Sequence, residues 1–117
     1  MNEREIAALA AQTAKDIHET ITEAGRVLDA AGEDIIKEYL TACLRMWQHG
    51  EKVTHESISP LITEIFQRRR HETQTEEEVM NAMLIFGTKF PEFVENERRE
   101  RDAEAAQIAA TLPAVKV

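Results

Sequence analysis

The sequence has few of the residues that cross-link a chain or form its turns. It has one cysteine, Cys43, so no internal disulfide can form and nothing requires an oxidising compartment. It has 4 glycines and 3 prolines in 117 residues, too few for the many turns of an all-β domain. No apolar run reaches the roughly 20 residues of a membrane-spanning helix, and the charged N-terminus lacks the apolar stretch of a signal peptide. We therefore expect a cytoplasmic helical protein.

Motifs for catalysis and cofactor binding are missing as well. The sequence contains no Walker A pattern, no Gly-x-Gly-x-x-Gly and no Gly-x-Ser-x-Gly. No two histidines are three or four residues apart, and no Glu-x-x-His occurs, so the usual helical metal pairs are absent. His49, Glu51 and His55 can meet across a loop, but ordinary surface histidines explain them more simply. We predict no catalytic residue, no cofactor and no metal site.

Apolar residues recur three or four positions apart along most of the chain, which is the pattern of amphipathic helices. Ser59 is the favoured N-cap of the third helix, because Pro60 then takes the first helical position; Thr54 is the alternative. Thr75-Glu-Glu-Glu78 has the form of a capping box. The predicted helices are Asn2–Ala31 with Gly32 as its cap, Glu33–His49, Thr54–Arg70, one from Thr75 that ends at Gly87, and one from Pro91.

These segments predict an all-α fold, a compact bundle of four to five helices with a long N-terminal helix and a projecting C-terminal helix. We expect a single helical domain over 1–112 and a frayed tail over 113–117. Cys43 lies on the apolar face of the second helix and is expected in the core. The first and last helices carry thin apolar stripes that one small bundle leaves partly uncovered, so we expect a homodimer.

Acidic residues outnumber basic ones, which gives a net charge of −8. The excess lies at the two ends of the chain. Charge of this sign repels phosphate backbones and attracts basic partners. We therefore predict a non-enzymatic protein–protein interaction module, a modulator or inhibitor of a larger complex whose acidic surface imitates nucleic acid. The candidate partner-binding residues are Glu3, Glu5, Asp16, Glu19 and Glu23 at one end, and Glu76, Glu77 and Glu78 at another.

One basic cluster favours a different function. Arg68, Arg69, Arg70 and His71 follow each other at the end of the third helix. Cations at this position are favoured by the helix dipole, which is the simpler explanation. The alternative is a small helix-turn-helix-like regulator that binds nucleic acid through the cluster. A third possibility, an enzyme with a cryptic carboxylate or histidine site, requires a concave pocket lined by those residues.

Overall fold

Four α-helices and one 3-10 turn make up the computed structural model, which describes residues 1–111. No strand occurs in that range, and the predicted all-α bundle is confirmed. The tail predicted to fray, 113–117, lies outside the described residues. In chain order the elements are α1 (Glu3–Glu23), α2 (Ala30–Gln48), α3 (His55–Arg69), the 3-10 turn (Arg70–Glu72) and α4 (Glu76–Thr111).

Helix α2 lies at the centre of the bundle and contacts the other three long helices. Its buried face contains Ile36, Tyr39, Leu40 and Cys43, at the spacing predicted from the sequence. The other helices pack smaller apolar faces on it, formed by Ile6, Ala10 and Ala14 of α1, Ile58, Ile62 and Ile65 of α3, and Val79, Met83 and Phe90 of α4. Burial of these side chains is the main favourable contribution to folding.

The first helix ends at Glu23, well before the predicted end. Gly25 has a φ of 78° and closes a Schellman motif, in which the amide of Arg26 donates to the carbonyl of Ile21 at 3.1 Å. Gly32, predicted as the cap of this helix, lies instead in the first turn of α2. The predicted boundary was wrong because Gly25, not Gly32, supplies the left-handed residue that ends the helix.

Helix α3 begins after Thr54, so the favoured N-cap, Ser59, was wrong. The Thr54 hydroxyl accepts a hydrogen bond from the amide of Ser57 at 3.3 Å, and the Ser57 hydroxyl accepts one from the amide of Thr54 at 2.8 Å. Pro60 therefore lies inside the helix, where a proline costs on the order of 3 kcal/mol. The reciprocal cap and the complete burial of Ile58 in the preceding turn outweigh that cost.

Helix α4 continues through Gly87 and Pro91, which had been predicted to end one helix and begin another. Met83 and Phe90 are both buried against the core, and a continuous helix keeps both in register. Its 36 residues span about 54 Å at 1.5 Å per residue, close to the longest extent of the molecule, 63 Å. From Glu95 onward the described side chains are exposed, which confirms the projecting C-terminal helix.

The carboxylate of Asp29 joins the start of α2 to the start of α4. Its Oδ1 accepts hydrogen bonds from the amide of Gly32 and the hydroxyl of Thr73, each at 2.7 Å. Its Oδ2 accepts one from the amide of Gln74 at 2.7 Å. The hydroxyl of Thr75 donates to Oδ1 at 3.2 Å, and α4 begins at the next residue, as predicted. One side chain thus caps α2 and holds the segment that leads into α4.

Gly87 is a point of close approach between α4 and two neighbouring helices. A Cβ atom at this position would stand 2.5 Å from the hydroxyl oxygen of Tyr39 and even closer to Cδ1 of Ile58. Both side chains are buried, so neither has open space to move into. The absence of a side chain at residue 87 therefore sets how closely α4 packs on α2 and α3.

Substitution of Gly87 by alanine is expected to lower the free energy of unfolding by about 1–2 kcal/mol, because overpacking outweighs the gain of roughly 1 kcal/mol in helix propensity. Urea denaturation measures the change. Asn81→Ala, at an exposed position of the same helix, is the control and should be neutral or slightly stabilising. Stabilisation by Gly87→Ala as large as that by the control would contradict the close packing.

Substitution of Asp29 by alanine is expected to lower the free energy of unfolding at pH 7 by about 2–4 kcal/mol, because the cap and three further hydrogen bonds to a charged group are lost. Asp102→Ala, on the exposed part of α4, is the matched control and should change it by less than about 0.5 kcal/mol. An equal effect of the two substitutions would show that Asp29 does not join the helices.

The same pair of proteins, wild type and Asp29→Ala, tests the charge of Asp29. Partial burial acts to raise the pKa of Asp29, but the hydrogen bonds from Thr73, Gln74, Gly32 and Thr75 outweigh it and lower the pKa below 3.8. A lowered pKa contributes stability above pH 3.8 that is lost as the pH falls through the folded-state value. The stability difference between the two proteins should therefore shrink below that pH.

Candidate functional site

Three of the predicted partner-binding residues form one exposed row on α1. Asp16 and Glu23 are two turns apart on the same face, and Glu19 lies between them. The side chain of Gln12 donates a hydrogen bond to Asp16 at 2.9 Å, one turn earlier. Among the side chains that the structure describes, no cation lies within ion-pair distance of these three carboxylates. We call these three residues the acidic row.

The acidic row borders a surface groove of about 460 Å³ between α1 and the start of α2. Nδ1 of His18 lies 2.7 Å from Oε1 of Glu33 and joins the two helices at this groove. The residues that line it are Lys15, His18, Glu19, Thr22, Glu23 and Glu33. Glu33 was predicted only as a residue at a helix start, because nothing in its local sequence indicates that the fold places it opposite His18.

The remaining predicted acidic residues divide into two groups. Glu3, Glu76 and Glu78 form ion pairs with Arg45, Arg70 and Arg26 at 2.9, 3.5 and 3.2 Å. Glu5 forms a capping box with Asn2 at the start of α1. Glu77 is exposed and forms no ion pair with the described side chains. The structure therefore assigns four of the eight predicted residues to helix caps and ion pairs, and leaves Glu77 and the acidic row directed to solvent.

The fold brings two acidic segments to one end of the bundle that are far apart in sequence. Helix α1 ends there, and α2 and α4 begin there, because Asp29 bonds to the segment before α4. The ion pair between Arg26 and Glu78 links the loop after α1 to the first turn of α4. The sequence placed Glu23 and Glu77 at separate ends of the protein, whereas the structure places both at this end.

The arginine cluster lies at the same end, paired with carboxylates. Arg69, whose side chain is only 13% exposed, contacts Asp34 and Glu72 at 2.8 Å and Glu38 at 3.0 Å. The hydrogen bonds that Arg69 donates to Glu72, and then to Asp34 and Glu38, raise the pKa of Arg69 despite its partial burial. The same contact with Arg69 lowers the pKa of Glu72. The guanidinium group of Arg69 therefore ties α3 and the 3-10 turn to α2.

The two neighbouring arginines are paired in the same way. Arg68 contacts Glu38 and also Glu64, the latter at 3.2 Å. Arg70 contacts Glu76 at 3.5 Å and stacks its guanidinium group 5.7 Å from the ring centre of Phe66. Five carboxylates thus surround the three guanidinium groups, so the surface around the cluster is not basic. His71 is exposed beside it. This arrangement favours a structural role for the arginines over phosphate binding.

The groups that bear on catalysis are the thiol of Cys43 and the side chains that could hold a metal ion. Cys43 is buried as predicted, and burial raises the pKa of its thiol to about 11. A thiol with that pKa is a poor nucleophile at neutral pH. Within residues 1–111, no group of three or more His, Cys, Asp or Glu residues is placed to hold a metal ion. No helix in that range is long and apolar enough to cross a membrane.

Substitution of Arg69 by alanine is expected to lower the free energy of unfolding by about 1–3 kcal/mol, since two carboxylates of α2 and one of the 3-10 turn lose their shared partner. Urea denaturation at low salt checks this. Arg70→Ala removes a more exposed arginine with a single, longer ion pair and should cost less than about 0.5 kcal/mol. Equal losses for the two variants would show that Arg69 is not the residue that joins these elements.

Known proteins offer no model for this surface. Comparisons with protein-family models, with curated protein sequences and with solved structures gave no match. The protein's own charged surface has two features: an acidic row that forms no ion pair with the described side chains, and an arginine cluster in which every guanidinium group is paired with carboxylates.

Proposed function

We propose that the protein is a non-enzymatic protein–protein interaction module that modulates or inhibits a larger complex by binding a basic surface of it. The observation that carries the proposal is the acidic row of α1, which is exposed and has no ion-pair partner among the described side chains. Carboxylates in that state attract a basic partner at long range and raise the rate of encounter. The net charge of −8 acts in the same direction.

Mimicry of nucleic acid is the specific form of inhibition that this surface supports. Asp16 and Glu23 are separated by about 10 Å along the helix axis, and Glu19 lies between them. Glu33 and Glu77 add negative charge at the same end of the bundle. A row of carboxylates of this kind suits a basic channel of a partner protein whose usual ligand is a phosphate backbone.

We also propose that two copies associate as a homodimer and that the protein acts in the cytoplasm. Two apolar side chains that are adjacent in α4 and lie on the surface support self-association: Ile85 is 57% exposed and Leu84 38%. Exposed apolar residues that lie together are common at protein–protein contacts. Sedimentation of the protein as a monomer at micromolar concentration would remove the homodimer from the proposal.

The decisive test is capture of a partner from nuclease-treated native lysate by the wild type and by a variant without the acidic row, Asp16→Asn with Glu19→Gln and Glu23→Gln. We expect the wild type to retain a stoichiometric protein partner at low salt and to lose most of it as screening increases. The neutralised variant should retain none. Added double-stranded DNA should displace the partner from the wild type, because the two compete for one basic surface.

A matched control removes the same three charges elsewhere. Glu92→Gln with Glu100→Gln and Asp102→Asn neutralises two glutamates and one aspartate at exposed positions of α4. This variant should capture the partner as the wild type does. Equal capture by all three proteins, or capture that is insensitive to salt, would contradict the proposal. Capture that requires intact nucleic acid would instead favour binding through Arg68 to His71.

A further inference from the structure

Helix α4 leaves the core within a single turn. Phe90 is fully buried, Phe93 is half-buried, and the described side chains from Glu95 onward are exposed. The part of the helix after this turn, residues 94–111, is called the arm below. Its direction relative to the bundle is set by the helical turn that precedes it. The resistance of that turn to bending therefore determines whether the arm is rigid.

The backbone of this turn is weak. Pro91 has no amide hydrogen, so the carbonyl of Gly87, four residues earlier, has no helical donor. Glycine at that position costs a helix roughly 1 kcal/mol relative to alanine. The hydroxyl of Thr88 donates to the carbonyl of Ile85 at 2.8 Å, a contact of the kind that bends helices. A threonine back-bond, a glycine and a proline thus fall together between residues 85 and 91, and the proline is the strongest cause of bending among them.

Three phenylalanines span the weak turn on the side of the core. The ring of Phe86 lies 5.9 Å from that of Phe90 and 5.0 Å from that of Phe93, and the rings of Phe90 and Phe93 are 6.1 Å apart. One ring precedes the turn, and two follow the glycine. These separations are those of attractive aromatic pairs. The rings therefore hold the two sides of the turn together where a hydrogen bond is missing.

We propose that residues 87–91 are a hinge. Contacts among the three phenylalanines, called the latch below, hold it straight. When Phe93 loses these contacts, the arm changes its direction relative to the bundle while it stays helical. Phe86 and Phe93 are both half-buried, and Phe93 is the one that lies beyond the hinge, beside the arm. Phe90 lies within the hinge and stays packed in the core, so the arm pivots about this residue. The device belongs to the fold itself and does not depend on the acidic row.

Distances between two spin labels on the full chain test the hinge. The labels are placed at Lys37→Cys on α2 and Ala103→Cys on the arm, both exposed positions. Cys43 is spared at neutral pH because it is buried and its pKa is about 11. Double electron–electron resonance gives the width of the distance distribution, and circular dichroism gives the helix content of the same samples.

Phe93→Ala should broaden the distribution about twofold with no loss of helix content, because the latch opens and the helix bends at its weak turn. Adding Pro91→Ala to Phe93→Ala should narrow the distribution again, since the missing hydrogen bond is restored. Adding Pro60→Ala, which restores the equivalent bond inside α3, is the control and should leave the width unchanged.

Three results would overturn the hinge. The first is an unchanged distribution in Phe93→Ala, which would show that the turn is rigid without its latch. The second is broadening accompanied by a loss of helix content, which would mean that the arm unravels and does not swing. The third is failure of Pro91→Ala to narrow the distribution, or equal narrowing by Pro60→Ala, which would remove the turn at 87–91 as the cause.

Discussion

The hydrogen bonds of Asp29 determine where the charged residues of this protein meet. Because its carboxylate caps α2 and also holds the segment before α4, the end of α1 and the beginnings of two helices lie at one end of the bundle. Arg69 reinforces the same end by tying α3 to α2. Together with the Arg26–Glu78 ion pair and the packing of α1 and α4 on α2, Asp29 brings the acidic residues of α1 and α4 to one surface.

Local residue preferences predicted most of the fold, and they failed where tertiary packing opposed them. The apolar periodicity of α2 gave its buried face correctly, since one helix face meets the core. Pro60 and Pro91 were taken as helix boundaries because proline is costly inside a helix. In the structure, buried residues next to each proline require an uninterrupted helix. Whether burial outweighs the cost of the proline depends on neighbours from other helices. The apolar periodicity of a single segment gives no information about those neighbours.

The candidate site was predictable in composition but not in arrangement. The exposed positions of Asp16, Glu19 and Glu23 follow from their place opposite the apolar stripe of α1. The sequence did not predict which carboxylates form ion pairs. The partners of Glu3, Glu76 and Glu78 depend on how the chain segments pack against one another. The arginine cluster shows the same point: a run of three cations indicates a basic surface until the fold surrounds it with five carboxylates.

The close contact at Gly87 restricts how this chain can change over evolution. The residue is glycine because of its neighbours on two other helices, Tyr39 and Ile58, and its own backbone is ordinary helix. A substitution that changes the side-chain volume at one of these three positions is tolerated only with a compensating change in volume at another. A related chain with alanine or serine at position 87 would therefore carry a smaller side chain at position 39 or 58. Covariation among three positions from three helices would identify a shared fold even where the charged surface has diverged.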